Sequence, residues 1–289
     1  MRFRAKIVDI GCIQHFSKVV GTIAKLAKNC ILRITPNKLY FILTERVANG
    51  GVGIWCELMQ SHFFNEYSMD GVSEEDNEIY LEVCPDSLTR SLKSAQNAKT
   101  VKIKLTKRHT SCITFEIELP SLTNQSRLVV HDIPVRVIPR RLWVDYQEPK
   151  VPDFDVSIYM PALKMLRNVV ERMKNISNYV VISANWCGEM QLKVETDLAA
   201  ITTHFRDLQN PVLDKGNTSQ TSQSQQSRDR DVEEFAEARI DIRKLAQFLI
   251  GQQVNPDKVI CNIVDNRFIH FFLLHEDMSL QYFMPVITL

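Results

Sequence analysis

Residues 12–28 read CIQHFSKVVGTIAKLAK, and the spacing of their apolar side chains is the clearest sign of the architecture in the sequence. Five apolar residues recur in it at helical spacing: Phe16, Val19, Val20, Ile23 and Leu26. That period predicts an amphipathic helix with one apolar face. The stretch contains no Asp or Glu, and the opposite face is expected to carry Gln14, Lys18, Gly21, Lys25 and Lys28.

The same apolar pattern returns in the second half of the chain. A shift of 150 residues places five further apolar residues on the positions of the first helix: Leu166, Val169, Val170, Met173 and Ile176. The strand-like run 3–7 falls on residues 154–158 with one residue of slip. Any two amphipathic helices share a period, so coincidence is the alternative. The matched order of elements on both sides of the midpoint favours an internal duplication.

Short alternating runs predict strands through most of the remaining sequence. They cover residues 3–8, 30–34, 39–43, 52–58, 79–83, 101–105, 112–119 and 128–137, and Asn49-Gly50-Gly51 predicts a hairpin turn. Helical spacing occurs in residues 12–28, 86–97, 162–176 and 242–252, with Asp86 and Asp241 as expected N-caps. Two β-rich halves, each with two helices on one face of a sheet, make an α+β fold.

Two segments interrupt this rhythm. Residues 139–153 include Pro139, Pro149 and Pro152, and proline favours an extended connector over a helix. Residues 214–230 are rich in Ser and Gln and hold no large apolar side chain, which predicts a disordered loop at about 211–232. The predicted domains are therefore 1–138 and 154–289, joined by a connecting loop at 139–153.

Charge is balanced in total and segregated locally. The 289 residues hold 35 Lys and Arg against 34 Asp and Glu, for a net charge of +1. The outer faces of all four predicted helices are basic, while most acids lie in strands and loops. Lysines at helical spacing match a phosphate backbone without reading bases, and few aromatic residues are available to stack on single strands. The pattern predicts sequence-independent binding of duplex DNA; the alternative is an ordinary solvated face.

Motifs for catalysis and metal binding are missing from the sequence. It contains no H-E-x-x-H, G-x-S-x-G, P-loop or G-x-G-x-x-G pattern, so we expect no catalytic residue, no cofactor and no metal ligand set. The alternative is an enzyme with a metal held by dispersed carboxylates, which acids gathered at one concave site would identify. Seven cysteines without a C-x-x-C pair predict reduced thiols in the cytosol or nucleus. Neither a signal peptide nor a membrane span is expected.

Stretches along nearly the whole chain resemble one known family. They include residues 3–7 (FRAKI), 55–57 (WCE), 131–134 (HDIP), 173–178 (MKNISN), 240–245 (IDIRKL) and 251–256 (GQQVNP), and only residues 209–235 depart clearly. The chain resembles the Hus-one family of subunits from the heterotrimeric DNA-damage checkpoint clamp (the nine-one-one complex), which is related to the replicative clamp PCNA. The main form and a germline-enriched paralogue both fit this resemblance. It implies two PCNA-like domains, with helices around a central hole and sheets outside.

The resemblance also implies partners and a location. The expected partners are Rad-nine-type and Rad-one-type clamp subunits, a clamp loader, double-stranded DNA and DNA repair enzymes, in a nuclear protein with a cytoplasmic pool. The hole-lining cations would be Lys18, Lys25, Lys28, Arg90, Lys93, Arg167, Lys174, Arg243 and Lys244. A partner groove would include Pro139, Leu142, Trp143, Val151, Pro152, Met284 and Pro285.

A second clamp assignment uses the same fold. A homotrimeric PCNA-like replicative processivity clamp would have the same basic helices, although the neutral net charge and the long Ser/Gln segment fit it less well. Oligomeric mass separates the two assignments, because a self-sufficient clamp forms its own trimer.

Overall fold

The computed structural model describes residues 1–44, 51–120, 127–211, 231–251, 254 and 256–287. The hairpin signal at 49–51 and the predicted disordered loop at 211–232 lie almost entirely outside these ranges, so both stay predictions. None of the helices within the described ranges is long and apolar enough to cross a membrane.

The described residues of the first half form ten strands and three helices. They are β1 (Arg2–Ile7), α1 (Ile10–Leu26), β2 (Cys30–Ile34), β3 (Lys38–Thr44), β4 (Gly53–Met59), α2 (Gln60–Phe63), β5 (Glu66–Asp70), β6 (Ile79–Val83), α3 (Pro85–Lys93), β7 (Thr100–Lys107), β8 (Ser111–Leu119), β9 (Arg127–Pro134) and β10 (Arg136–Val137). The short helix α2 has no counterpart among the predicted elements, because four residues are too few for a period to show.

The second half repeats this order. It contains β11 (Val156–Tyr159), α4 (Leu163–Met173), β12 (Tyr179–Ala184), β13 (Met190–Glu195), β14 (Ala200–Phe205), β15 (Ala236–Asp241), α5 (Ile242–Gly251), β16 (Lys258–Val264), β17 (Phe268–His275) and β18 (Met278–Pro285). In each half a strand and a helix precede a group of strands, and a second helix precedes a three-stranded meander. The predicted α+β fold with an internal duplication is confirmed.

One sheet joins the two halves. Its nine strands run in the order β10-β6-β2-β3-β4-β18-β17-β16-β11, and the junction is the antiparallel pairing of β4 with β18 from Leu58 opposite Met278 to Gly53 opposite Phe283. The first half adds a five-stranded sheet, β5-β1-β7-β8-β9, and the second half adds a four-stranded sheet, β14-β13-β12-β15. Backbone hydrogen bonds therefore hold the halves together, in addition to the connector at 139–153.

The four longer helices form a row in the order α3, α1, α5, α4. Helix α1 contacts α3 on one side and α5 on the other, and α5 also contacts α4. The contact between α1 and α5 crosses from one half to the other, and the side-chain amide of Gln247 donates a 2.6 Å hydrogen bond to the carbonyl of Lys25. A Cβ at Gly251 would lie 3.2 Å from Leu26 Cδ2, so the ends of α1 and α5 approach closely.

Helix α1 begins and ends earlier than residues 12–28. Asp9 caps it, because its carboxylate accepts a 2.8 Å hydrogen bond from the backbone N–H of Cys12, and the helix ends at Leu26. Lys28 therefore lies beyond the helix, where it is exposed. Gly21 was expected on the outer face and is buried, since α1 packs between two other helices.

The two expected N-caps have different outcomes. At α3 the capping position is Cys84 and Pro85 is the first helical residue, so the prediction of Asp86 is wrong. Proline suits that position because its missing N–H would have no partner there. At α5 the carboxylate of Asp241 accepts hydrogen bonds from the backbone N–H groups of Arg243 (2.8 Å) and Lys244 (3.3 Å), as an N-cap does.

The thiols are free, as predicted. Cys30, Cys56 and Cys261 are buried among apolar residues, and burial raises the pKa of each of these thiols far above its ordinary value. They therefore stay protonated and behave as small apolar side chains.

The connector is not extended throughout, contrary to the prediction. A short 3₁₀ helix spans Arg140–Tyr146, and it follows Pro139. The indole of Trp143 is buried and stacks on Tyr80 with ring centroids 4.5 Å apart, and its N–H donates a 3.0 Å hydrogen bond to the carbonyl of Ile138. Burying this large ring against the outer face of the sheet stabilises the helical turn, and spacing arguments cannot detect that contact.

Trp143→Ala tests how firmly the connector is attached. Removing the stacked indole should lower the free energy of unfolding by about 3 kcal/mol, because it deletes a buried aromatic side chain and leaves a cavity. Urea denaturation followed by far-UV circular dichroism measures the loss. The control is Val144→Ala, since Val144 is 72% exposed and should change stability little. An equal effect of the two substitutions would show that the indole does not anchor the connector.

Candidate nucleic-acid interface

The four longer helices carry a surplus of positive charge. Helices α1, α3 and α5 contain two Lys or Arg each and α4 contains three, while the only acids in the four helices are Asp86 and Glu171. The helices lie side by side, so these cations belong to one layer of the molecule. Such a layer attracts a polyanion through its summed field as well as through single contacts.

Acids in the strands are neutralised locally. Many of them face a cation on a neighbouring strand, as in the pairs Lys6–Glu66 (2.8 Å), Lys38–Glu57 (2.5 Å) and Lys104–Glu116 (2.7 Å). Outside the four helices Asp and Glu outnumber Lys and Arg, so the surplus of positive charge is confined to the helix layer. Among the described residues no group of three carboxylates has the spacing of a metal site, so the structure does not support an enzyme whose metal is held by carboxylates.

The predicted helix cations are accessible. Lys18 and Lys25 on α1, Arg90 and Lys93 on α3, and Arg167 on α4 are exposed. Within the described ranges none of these five side chains has a carboxylate within 4.0 Å. Each ammonium or guanidinium group is therefore available to a phosphate without first breaking an ion pair.

Three predicted cations from the two halves converge on one cleft. It lies where α1, α4 and α5 meet and is lined by Lys25, Lys174 and Arg243 together with Asn175, Ala246, Gln247 and Ile250. Lys174 follows the end of α4 and pairs with Glu171 at 2.7 Å, and Arg243 donates a 3.1 Å hydrogen bond to Asn178 Oδ1. The remaining predicted cation, Lys244, is partly buried.

Polar residues without charge complete the cleft, and the sequence analysis missed them. Gln247 lies four residues after Arg243 on the same face of α5, and Asn175 follows Lys174. The signal that could have found Gln247 is this spacing; a search for charge alone passes over an amide. Amide N–H groups are further donors to phosphate oxygens.

The predicted partner groove is only partly accessible. Pro139, Val151 and Pro152 are exposed, and Leu142 and Pro285 are half-buried. The prediction is wrong for two groove residues, because Trp143 is buried against Tyr80 and Met284 is 1% exposed. Met284 faces the core because it lies opposite Ile269 in the pairing of β18 with β17, on the buried side of the strand. The accessible part of the predicted groove is therefore Pro139, Val151 and Pro152, with Leu142 and Pro285 partly accessible.

Sequence comparisons relate the whole chain to one family. The model of the family described as "Hus1-like protein" matches residues 1–288. The human protein named Checkpoint protein HUS1 is 59% identical over 288 residues, which cover 100% of both chains. Checkpoint protein hus1 of Schizosaccharomyces pombe is 30% identical over 262 residues, covering 90% of this chain and 88% of the relative.

Structural comparisons relate the fold to DNA clamps. The crystal structure of proliferating cellular nuclear antigen from Entamoeba histolytica superposes with a TM-score of 0.70 at 10% identity and covers 99% of both chains. PCNA from Thermococcus kodakaraensis gives a TM-score of 0.66 at 13% identity, covering 98% of this chain and 99% of the other. The predicted PCNA-like fold is confirmed, and at such identities the likeness concerns the fold alone.

The cleft predicts a salt-dependent contact with duplex DNA. Neutralising Lys25→Gln and Arg243→Gln together should weaken binding at low salt and reduce the slope of log affinity against log salt by about 2, since each lost phosphate contact removes about 0.9. Fluorescence anisotropy with a labelled duplex measures both quantities. Lys107→Gln with Lys150→Gln is the control, because these exposed lysines lie outside the helices. Equal slopes for the two double variants would show that the cleft does not contact the DNA.

Proposed function

This chain belongs to the Hus1-like protein family, and from that membership we infer that it is one subunit of a ring-shaped clamp that encircles double-stranded DNA at damage sites. Its role is to support DNA-damage checkpoint signalling and to recruit repair enzymes. The observation that carries the inference is the row of four cation-rich helices on a PCNA-like fold. We assign no catalytic role to the chain, which acts as a scaffold.

The helix row accounts for sliding as well as binding. Its cations contact phosphates, which repeat along any duplex, and the row offers no base-reading element. Exposed lysine and arginine side chains move easily from one phosphate to the next, because each ion pair in water contributes only on the order of 0.2–1 kcal/mol. A clamp of this kind holds DNA by topology and tolerates movement along it.

Two strand edges are suited to close the ring. Within the chain, the fourth strand of the first half (β4) pairs with the last strand of the second half (β18). The equivalent strands by duplication are β14 and β9, and each has a neighbour on one side only in the described sheets. Exposed apolar side chains lie at both edges: Leu128 (60%) and Val130 on β9, and Ile201 and Leu198 (97%) on and before β14. An open edge of this kind invites pairing with another chain.

We assign β9 and β14 to the contacts with neighbouring subunits. Each contact would repeat, between chains, the β4–β18 pairing that joins the halves of this one. The proposed neighbours are the Rad-nine-type and Rad-one-type subunits, and a clamp loader would open the ring for DNA. The exposed connector residues Val151 and Pro152 are the proposed docking site for repair enzymes. The proposed location is the nucleus, with a cytoplasmic pool.

Edge substitutions test the assembly. Leu128→Asp with Val130→Asp should abolish co-purification with the two partner subunits, because buried unpaired carboxylates would face the neighbouring strand. The isolated variant should keep its circular dichroism spectrum, since both side chains are exposed in the single chain. Val72→Asp with Val232→Asp is the control, as these exposed valines lie outside both edges. Light scattering distinguishes the outcomes, and normal assembly of the edge variant would contradict the assignment.

Light scattering also separates the two clamp assignments. The purified chain alone should have a mass near 33.4 kDa, because its edges require different partners. A mass three times larger would favour the homotrimeric PCNA-like clamp.

Charge reversal on the helix row tests the encircling role. Lys25→Glu with Lys93→Glu, in the assembled and loaded ring, should shorten retention on nicked circular plasmid because two attractive contacts become repulsive. Retention is measured by gel filtration of the loaded complex at increasing salt. Lys107→Glu with Lys150→Glu keeps the change in net charge while sparing the helices. Equal retention of the two double variants would contradict the assignment of the helix row to DNA.

A further inference from the structure

Three histidines and one aspartate meet at the junction between the two halves. His15 lies on α1 and His62 lies in α2, both in the first half. His275 ends β17 and Asp277 follows it in the turn before β18, in the second half. The charge layer of the helices and the strand edges described above do not use this cluster.

The side chains of the cluster surround the carboxylate of Asp277. One oxygen, Oδ1, lies 2.8 Å from His62 Nδ1. The other, Oδ2, lies 3.7 Å from His15 Nε2 and 3.9 Å from His275 Nδ1. One ligand atom each from His15, His275 and Asp277 fits within a span of 4.8 Å. Among the described residues this is the one group of three or more His, Cys, Asp or Glu with the spacing of a metal site.

The cluster also contains a buried nitrogen without a partner. His15 Nε2 has almost no exposed surface and forms no hydrogen bond. A distance of 3.7 Å to the carboxylate is too long for a hydrogen bond. Buried polar atoms are nearly always satisfied, so an unpaired one requires an explanation.

We propose that His15, His275 and Asp277 bind a divalent transition-metal ion, with Zn²⁺ as the fitting ion. Two imidazole nitrogens and a carboxylate oxygen form a ligand set that zinc takes readily, and a water molecule supplies the fourth position. Ligand bonds of about 2.0–2.1 Å in a tetrahedron place ligand atoms about 3.4 Å apart. Asp277 Oδ2 lies 3.7 and 3.9 Å from the two nitrogens, and one ligand atom from each of the three residues lies within 4.8 Å of the others, so the side chains must close around the ion. Binding through His275 Nδ1 also replaces the 3.4 Å hydrogen bond that this nitrogen accepts from the backbone N–H of Asp277.

His62 serves as the supporting residue in this arrangement. Its ring nitrogen Nδ1 lies 2.8 Å from Asp277 Oδ1, which leaves Oδ2 directed towards His15 and His275. Residues that contact a metal ligand in this way orient it and typically change affinity by about 10- to 100-fold. Asp277 and His62 are partly exposed, so the ion has a path from solvent.

Bound zinc would fasten the junction between the halves. The ligand from α1 belongs to one half and the two ligands at the β17–β18 turn belong to the other. Met278, next to Asp277, is paired with Leu58 at the end of the β4–β18 junction, so the ion lies beside the pairing that joins the halves. An ion that binds only the folded junction stabilises the folded chain by mass action. This inference does not depend on the clamp function.

The test uses the full chain, stripped of metal and then titrated with Zn²⁺. After desalting, elemental analysis should find one zinc per chain, and zinc should raise the melting temperature. His15→Gln and Asp277→Asn should each abolish the bound zinc and the thermal shift, while His62→Gln should weaken binding by about 10- to 100-fold. His109→Gln is the control, because His109 is exposed in a turn away from the cluster. Zinc retained in full by His15→Gln and Asp277→Asn would overturn the proposal.

A second measurement distinguishes zinc binding by the cluster from adventitious zinc binding by thiols. Cys187 is exposed, so all titrations are repeated in a Cys187→Ser background. Co²⁺ substituted into the unaltered cluster should give the visible absorption of nitrogen and oxygen ligands without a thiolate charge-transfer band. This spectrum remains informative even if a ligand variant fails to fold. Absence of Co²⁺ and Zn²⁺ binding by the unaltered chain, or a thiolate spectrum that disappears with Cys187→Ser, would also overturn the proposal.

Discussion

The antiparallel pairing of β4 with β18 is the contact on which the rest of the molecule depends. It turns two duplicated halves into one nine-stranded sheet and fixes their relative position through backbone hydrogen bonds. Only with that position fixed do α1 and α5 lie close enough for Gln247 to bond the carbonyl of Lys25. The helix row, its charge layer and the cleft at the junction are consequences of this one pairing.

Duplication also explains how one chain can become part of a ring. The contact inside the chain consumes one edge from each half and leaves the equivalent edges, β9 and β14, without a partner. A chain built this way can make three contacts of the same type. One forms inside the chain, and two are available to neighbouring chains. The segregation of charge follows the same division, because many strand acids pair with cations on neighbouring strands, whereas among the described residues no carboxylate lies within 4.0 Å of Lys18, Lys25, Arg90, Lys93 or Arg167. In the proposed assembly, the sheet edges contact neighbouring subunits and the helices contact DNA.

Local patterns were sufficient for much of this description, and long-range contacts were not. Apolar spacing located all four longer helices, and repetition of that spacing revealed the duplication. Spacing did not show that Asp9 caps α1, that Trp143 folds the connector onto Tyr80, or that Met284 faces the core. The positions of Trp143 and Met284 depend on which side of a strand or helix meets a distant residue. The Asp9 cap is local, three residues before Cys12, but the apolar period alone does not locate a capping residue. The cluster of His15, His275 and Asp277 was equally hidden, because its members come from opposite ends of the chain and meet only in the folded molecule.

We infer that the helix row faces DNA held inside a closed ring. The most direct measurement loads the assembled clamp onto a nicked circular plasmid and then cuts the plasmid once with a restriction enzyme. Encirclement predicts that the clamp stays on the circle and is lost from the linear product as it slides off the ends. Equal retention on circular and linear DNA would contradict encirclement and would place the cationic helices in ordinary surface binding.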